Sequence, residues 1–152
     1  MKFAEYLSKQ GIRYETHDHV PAYTAQEVAA EEHISGNRFA KTVVVRADEK
    51  FILCVLPASC KLDMEKVSKA LRAKKVRLAD EQEMATLFPD SEVGAEPPFG
   101  SLYQLPTLVD THFVSAGEIA FQAGTHRQAI RMSYTDYAKL AQPIVTDLAV
   151  HL

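Results

Sequence analysis

Lys41 stands at the entrance to the most β-rich run of the chain, where strand alternation gives it the same face as Val43 and Val45. A lysine at a pocket rim is a point-charge donor suited to a phosphate or ribose oxygen. A lysine at a strand end also extends its ammonium into water over an apolar stem, and position alone leaves both readings open. Gly124-Thr125-His126 is the second constellation. Glycine in a turn allows close backbone approach and leaves N–H groups free to bond a substrate oxygen; His126 either positions a substrate group or closes a solvent-facing turn. The third is the segment from Gly94 to Gly100, in which Pro97 and Pro98 stiffen a loop between two glycines. Such a loop makes a pocket wall, or simply a turn.

Other combinations carry less chemistry. His17 and His19, with His33, lack a carboxylate or thiolate at metal-ligand spacing and read as polar surface. No metal or other cofactor is expected. Cys54 lies within an apolar strand, and Cys60 follows it in a position open to solvent with nothing nearby to lower its pKa, so neither is expected to act as a nucleophile. No Gly-x-Ser-x-Gly elbow, P-loop or dinucleotide fingerprint is present. From Lys61 to Arg77 seven Lys or Arg residues face only Asp63 and Glu65. Lys66, Lys69 and Arg72 of that run are candidates to meet a phosphate backbone, against the plain alternative of a solvated helix face.

The elements that must hold these residues follow from periodicity. Lys2 to Gln10 predicts a helix stopped by Gly11, Ile12 to Thr16 a short strand, and Thr24 to Ile34 a second helix opened by a capping box. Ala40 to Arg46 and Phe51 to Leu56 form a hairpin across Asp48-Glu49-Lys50. Asp63 caps a helix whose buried stripe is Met64, Val67, Ala70 and Leu71, and Asp80 caps another that reaches Leu87 or Phe88 after a strand at Val76 to Leu78. Pro89 to Pro106 is a shaped loop. Leu108 and Val109 read as a strand, Glu118 to Gln122 and Gln128 to Met132 as a second hairpin around Gly124, and Tyr134 to Ala141 as a helix stopped by Pro143. Hairpins interspersed with helices predict an α/β fold: a mixed, largely antiparallel sheet flanked by helices.

At 152 residues and 47% hydrophobic content the chain suits one domain, residues 1–152, that buries its core without disulfides or structural metal. A formal net charge of -3 argues against holding nucleic acid by bulk positive charge, so any such contact is local, and no DNA-binding role is expected. No signal peptide and no apolar run of membrane-spanning length is evident, which predicts a cytoplasmic protein with no membrane partner.

Taken in order, Phe39-Ala40-Lys41-Thr42-Val43-Val44-Val45, Leu56-Pro57-Ala58, Gly94-x-x-Pro97-Pro98-Phe99-Gly100 and Ala123-Gly124-Thr125-His126 running on to Ser133 resemble the YbaK-type aminoacyl-tRNA deacylase family, which includes free-standing relatives of the prolyl-tRNA synthetase editing domain. The resemblance spans about Tyr14 to Leu140. It implies a pocket for the 3′-terminal aminoacyl-adenosine and ester hydrolysis without metal, by a positioned water and the substrate's own ribose hydroxyl. Lys41, Gly124 and His126 match the family's catalytic positions. Asn37, Gly94, Pro97, Gly100 and Thr125 match positions that line or close over the substrate. The implied substrate is misacylated tRNA, foremost tRNA(Pro) carrying alanine, with prolyl-tRNA synthetase or an elongation factor as possible partner. The alternatives are a deacylase for another small amino acid such as Cys, a tRNA- or nucleotide-binding module without turnover, and a thiol- or metal-dependent hydrolase.

Overall fold

The computed structural model describes residues 3–18, 38–115 and 117–151. The helix expected at Thr24 to Ile34, together with His19, His33 and Asn37, lies outside them. Helix α1 (Phe3–Lys9) buries Phe3 and Leu7, and the chain leaves it through Gly11 at φ 70°. Strand β1 (Tyr14–Asp18) follows. The central hairpin is longer than its apolar runs suggested: β2 (Ala40–Ala47) pairs with β3 (Lys50–Pro57) from Ala40↔Pro57 to Ala47↔Lys50. Asp48 turns the corner at φ 54°, and its carboxylate accepts the backbone N–H of Lys74 at 3.1 Å and of Lys75 at 2.9 Å, which ties the hairpin to the next edge strand.

Beyond the hairpin come β4 (Cys60–Leu62), α2 (Met64–Leu71), β5 (Val76–Leu78) and α3 (Glu81–Leu87). Both helices start where a carboxylate takes up orphan N–H groups: Asp63 accepts from Glu65 and Lys66, and Asp80 with Glu83 forms a reciprocal capping box. The remaining elements are β6 (Thr107–Asp110), β7 (Glu118–Gln122), β8 (Gln128–Ser133), α4 (Tyr134–Ala141), β9 (Ile144–Thr146) and β10 (Ala149–His151). One expectation about α2 fails. Val67 is buried and Met64 and Leu71 are partly so, but Ala70 is exposed, because only one narrow stripe of so short a helix meets the sheet.

A five-stranded sheet runs β5-β2-β3-β6-β9, a three-stranded sheet runs β1-β8-β7, and β10 pairs with β4. Pairing is antiparallel except along β3-β6-β9, where it is parallel. The two larger sheets meet at a parallel bridge between Phe39 and Ala120. The fold is therefore the mixed, antiparallel-rich α/β arrangement expected. Strands β4, β9 and β10, three residues each, were not among the strands expected from the sequence.

Alternation along β2 and β3 divides the interior. Ala40, Val44, Leu53 and Val55 point into the main core, against Phe3, Leu7, Phe99, Phe121 and Tyr137. Val45, Ile52 and Cys54 point the other way, against Val67 of α2 and Leu148. Cys60 is 3% exposed, contrary to the solvent access expected of it, since pairing of β4 with β10 covers it beside Leu56 and Ala149. Among the described residues no helix is long and apolar enough to cross a membrane.

Candidate active site

The turn between β7 and β8 is clasped by the proline-rich loop. Glu92 N–H donates to the Gly124 carbonyl at 2.8 Å, and Gly124 N–H donates to the Ala95 carbonyl at 2.8 Å. Both backbone groups of Gly124 are thereby used, which corrects the expectation that its N–H is free for a substrate oxygen. The backbone N–H of His126 is likewise taken by Glu92 Oε2 at 3.1 Å, and that of Arg127 by Thr125 Oγ1 at 3.3 Å. What requires glycine at position 124 is φ 95°, since an added Cβ would come no nearer than 3.7 Å to Ser91 Oγ. The turn is a rigid edge rather than an open set of donors.

His126 is not the solvent-facing turn residue that its position allowed. It is 8% exposed, and its Nε2 lies 2.8 Å from the Val93 carbonyl. A carbonyl only accepts, so the proton is on Nε2. Gly94, at φ 89°, packs on the ring so closely that a Cβ there would stand 3.5 Å from Cε1. Gly94, about thirty residues earlier in the sequence, is thus brought beside Gly124 and His126.

A cavity of about 730 Å³ opens beside this turn, lined by Pro97, Gly124, Thr125 and Arg127 with Phe3, Tyr6 and Tyr103. It opens on the side of the main core. Lys41 does not line it. Lys41 pairs with Leu56 on the opposite sheet face, the face of Val43, Cys54 and α2. Lys41 and Gln122 each stand two residues beyond the Phe39–Ala120 bridge on their own strands. Thr125 and Arg127 line the cavity, whereas His126 does not; its ring is held by the Val93 carbonyl beside Gly94. Of the residues anticipated from sequence, Pro97, Gly124 and Thr125 border the cavity, while Lys41 and His126 do not.

Lys41 is half-buried, and burial holds its ammonium below the usual lysine pKa, an effect that nearby Cys60 partly opposes. Two buried polar residues near the Gly124 turn were not singled out from the sequence. Glu96 is 3% exposed and its Oε1 accepts the Gly94 N–H at 3.0 Å; Gln122 is 5% exposed. Burial pushes the Glu96 carboxyl up, while backbone N–H groups and His126 pull it down. A carboxylate wedged between Ala95 and Pro97 in an aperiodic loop was the one available signal for Glu96. Tyr137 was also missed: its buried hydroxyl donates to the Pro98 carbonyl at 2.8 Å and so fixes the loop to α4.

Gly100 has a packing role. Its N–H donates to Thr107 Oγ1 at 3.0 Å, and an added Cβ would lie 2.4 Å from both that oxygen and the Leu105 carbonyl oxygen. Gly100→Ala is expected to destabilise the protein by about 1–3 kcal/mol, read as a lowered melting temperature; an unchanged Tm would mean the 3₁₀ turn at Gly100–Tyr103 yields freely.

The candidate tRNA-docking residues lie on α2, which covers the Lys41 face. Lys66 is engaged: its Nζ donates to Asp147 Oδ1 at 3.0 Å and to the Ala149 carbonyl at 2.9 Å. Lys69 and Arg72 are exposed, Arg72 at the αL position that ends the helix.

Residues 19–140 match the family model of the aminoacyl-tRNA editing domain. Among solved structures, that of the hypothetical protein APE2540 aligns with a TM-score of 0.88 at 21% identity, covering 99% of this chain and 100% of that one. That of a candidate trans-editing enzyme for prolyl tRNA synthetase aligns with a TM-score of 0.82 at 22% identity, over 97% and 92% of the two chains. At these identities the likeness establishes the fold.

Proposed function

The chain belongs to the aminoacyl-tRNA editing domain family, and from that premise we propose that it is a cytoplasmic hydrolase acting in trans on misacylated tRNA, foremost tRNA(Pro) carrying alanine. The observation that carries this reading is the convergence of Gly94 and His126 beside the clasped Gly124 turn, with Lys41 two residues beyond the bridge that joins Phe39 to β7.

Ester hydrolysis by water needs the carbonyl held still, a water placed against it and the leaving ribose oxygen kept in position. In this reading Lys41 supplies the point charge that holds the terminal nucleotide by a phosphate or ribose oxygen. His126 and Gly124 form the wall beside the ester: two backbone bonds immobilise Gly124, and its missing side chain lets the substrate approach. The water is oriented by the substrate's ribose hydroxyl, so the protein contributes placement rather than a nucleophile. Cys54 does not compete for that role, because burial pushes its thiol up to about 12.

Such an activity answers a physical shortfall. A synthetase pocket separates small apolar amino acids by only about 1–3 kcal/mol per methylene, so alanine enters a prolyl site and a second, size-limited site removes it. A prolyl-tRNA synthetase or an elongation factor is the natural partner to hand over the substrate.

Incubating the purified protein with a panel of misacylated tRNAs tests the proposal. Loss of the alanyl ester from tRNA(Pro) well above the buffer rate is the expected result. Binding of tRNA without loss of any ester would make this a recognition module instead. Reversing charge at Lys69 and Arg72 together is expected to weaken tRNA binding and to flatten its salt dependence by roughly 2 in the log–log slope, while an aminoacyl-adenosine fragment is cleaved as before. Equal loss on both substrates would place those residues outside tRNA docking.

A further inference from the structure

Glu96 and Gln122 each keep a buried oxygen, Oε2 and Oε1 respectively, with no hydrogen-bond partner. Buried acceptors are nearly always satisfied, so two unsatisfied ones on segments that share one turn call for a missing donor. Both belong to segments that meet at the clasped turn: Glu96 follows Ala95, whose carbonyl accepts the Gly124 N–H, and holds the N–H of Gly94 beside the His126 ring, while Gln122 is two residues ahead of Gly124. Both oxygens are acceptors, and one belongs to a carboxyl group.

The inference rests on the deacylase reading. Around its scissile bond an aminoacyl ester of tRNA presents a carbonyl and phosphates, which accept, and a ribose hydroxyl, which does either. The α-ammonium alone is donor-only and carries positive charge. We infer that Glu96 Oε2, aided by Gln122 Oε1, receives the α-ammonium of the aminoacyl group, so that the site reads a free α-amine and selects amino-acid esters over their N-blocked or hydroxy-acid counterparts.

The test compares the alanyl ester with the lactyl ester of the same tRNA, in which a hydroxyl replaces the ammonium at nearly unchanged size. The wild-type protein is expected to favour the alanyl ester in kcat/KM by roughly 10- to 100-fold, the range of a charge-assisted hydrogen bond. Glu96→Gln keeps shape and an acceptor for Gly94 N–H but removes the charge. It is expected to bring the two rates within a few-fold of each other by slowing only the alanyl ester. Gln122→Met, an independent replacement of similar volume, is expected to shift the ratio the same way by less. Equal wild-type rates on the two esters, or a Glu96→Gln variant that slows both alike, would overturn the ammonium site while leaving the deacylase intact. Absence of wild-type turnover on either ester would overturn the deacylase reading and the ammonium site together.

Discussion

Replacing Lys41 by Ala is expected to lower kcat/KM for hydrolysis of the alanyl ester on the order of 10²–10³-fold, the loss typical of removing one well-placed donor. The ammonium is half-buried at the start of β2, and burial already disfavours its charged form. An anionic phosphate arriving there restores the balance, so the charge is worth more with substrate bound than without it. The expected signature is loss of activity with little loss of fold. Lys41→Met, which keeps the apolar stem over Leu56, lowers activity about as far while its melting temperature stays within a few degrees of wild type. Lys41→Arg recovers only part of the rate, because a planar fork does not replace a compact point charge. Near-normal turnover in Lys41→Ala would reduce this residue to a strand-end lysine reaching for water.

Asp110→Ala produces the largest expected change in stability. The carboxylate is fully buried at the end of β6. Its Oδ1 accepts the backbone N–H of Leu148 at 2.8 Å and of Ala149 at 3.1 Å, and its Oδ2 accepts the N–H of His112 at 3.0 Å as well as contacting His112 Nδ1. This one side chain joins the central sheet to β10, and β10 in turn covers Cys60. Alanine strands several buried N–H groups at once, at an expected cost of about 3–5 kcal/mol. For a chain of this size that lowers the melting temperature by roughly 6–20 °C, and a change of only a degree or two would show that β10 is held by other contacts.

The same group gives a pH signature. Burial would raise the Asp110 pKa, but the hydrogen bonds from Leu148 and His112 outweigh it and hold the carboxyl below its ordinary value. A depressed carboxylate stabilises the fold fully above its unfolded pKa of about 4 and loses that contribution as pH falls through the lower folded value. Wild-type stability is therefore expected to drop in that acid window more steeply than that of Asp110→Asn; parallel pH profiles would remove Asp110 as the cause.

Local chemistry made much of this molecule legible in its sequence. Alternation in Ala40 to Leu56 announced the central hairpin, Asp63 and Asp80 announced two helix starts, and Gly124 between two β-rich runs announced the late hairpin, because each is decided by neighbours within a few residues. The motif order from Lys41 to His126 also indicated the family. Tertiary structure alone decided the rest. Parallel pairing of β3, β6 and β9 joins residues 54 and 36 positions apart and leaves no local period. The backbone of Gly124 was spent on Glu92 and Ala95, and His126 was buried under Gly94, by a loop whose path nothing in its own composition specifies. Strand parity could place Lys41 on a face, but that the cavity would open on the other one was decided only by the packing of distant segments, Phe3 and Tyr6 of α1 with Tyr103 and the Gly124 turn.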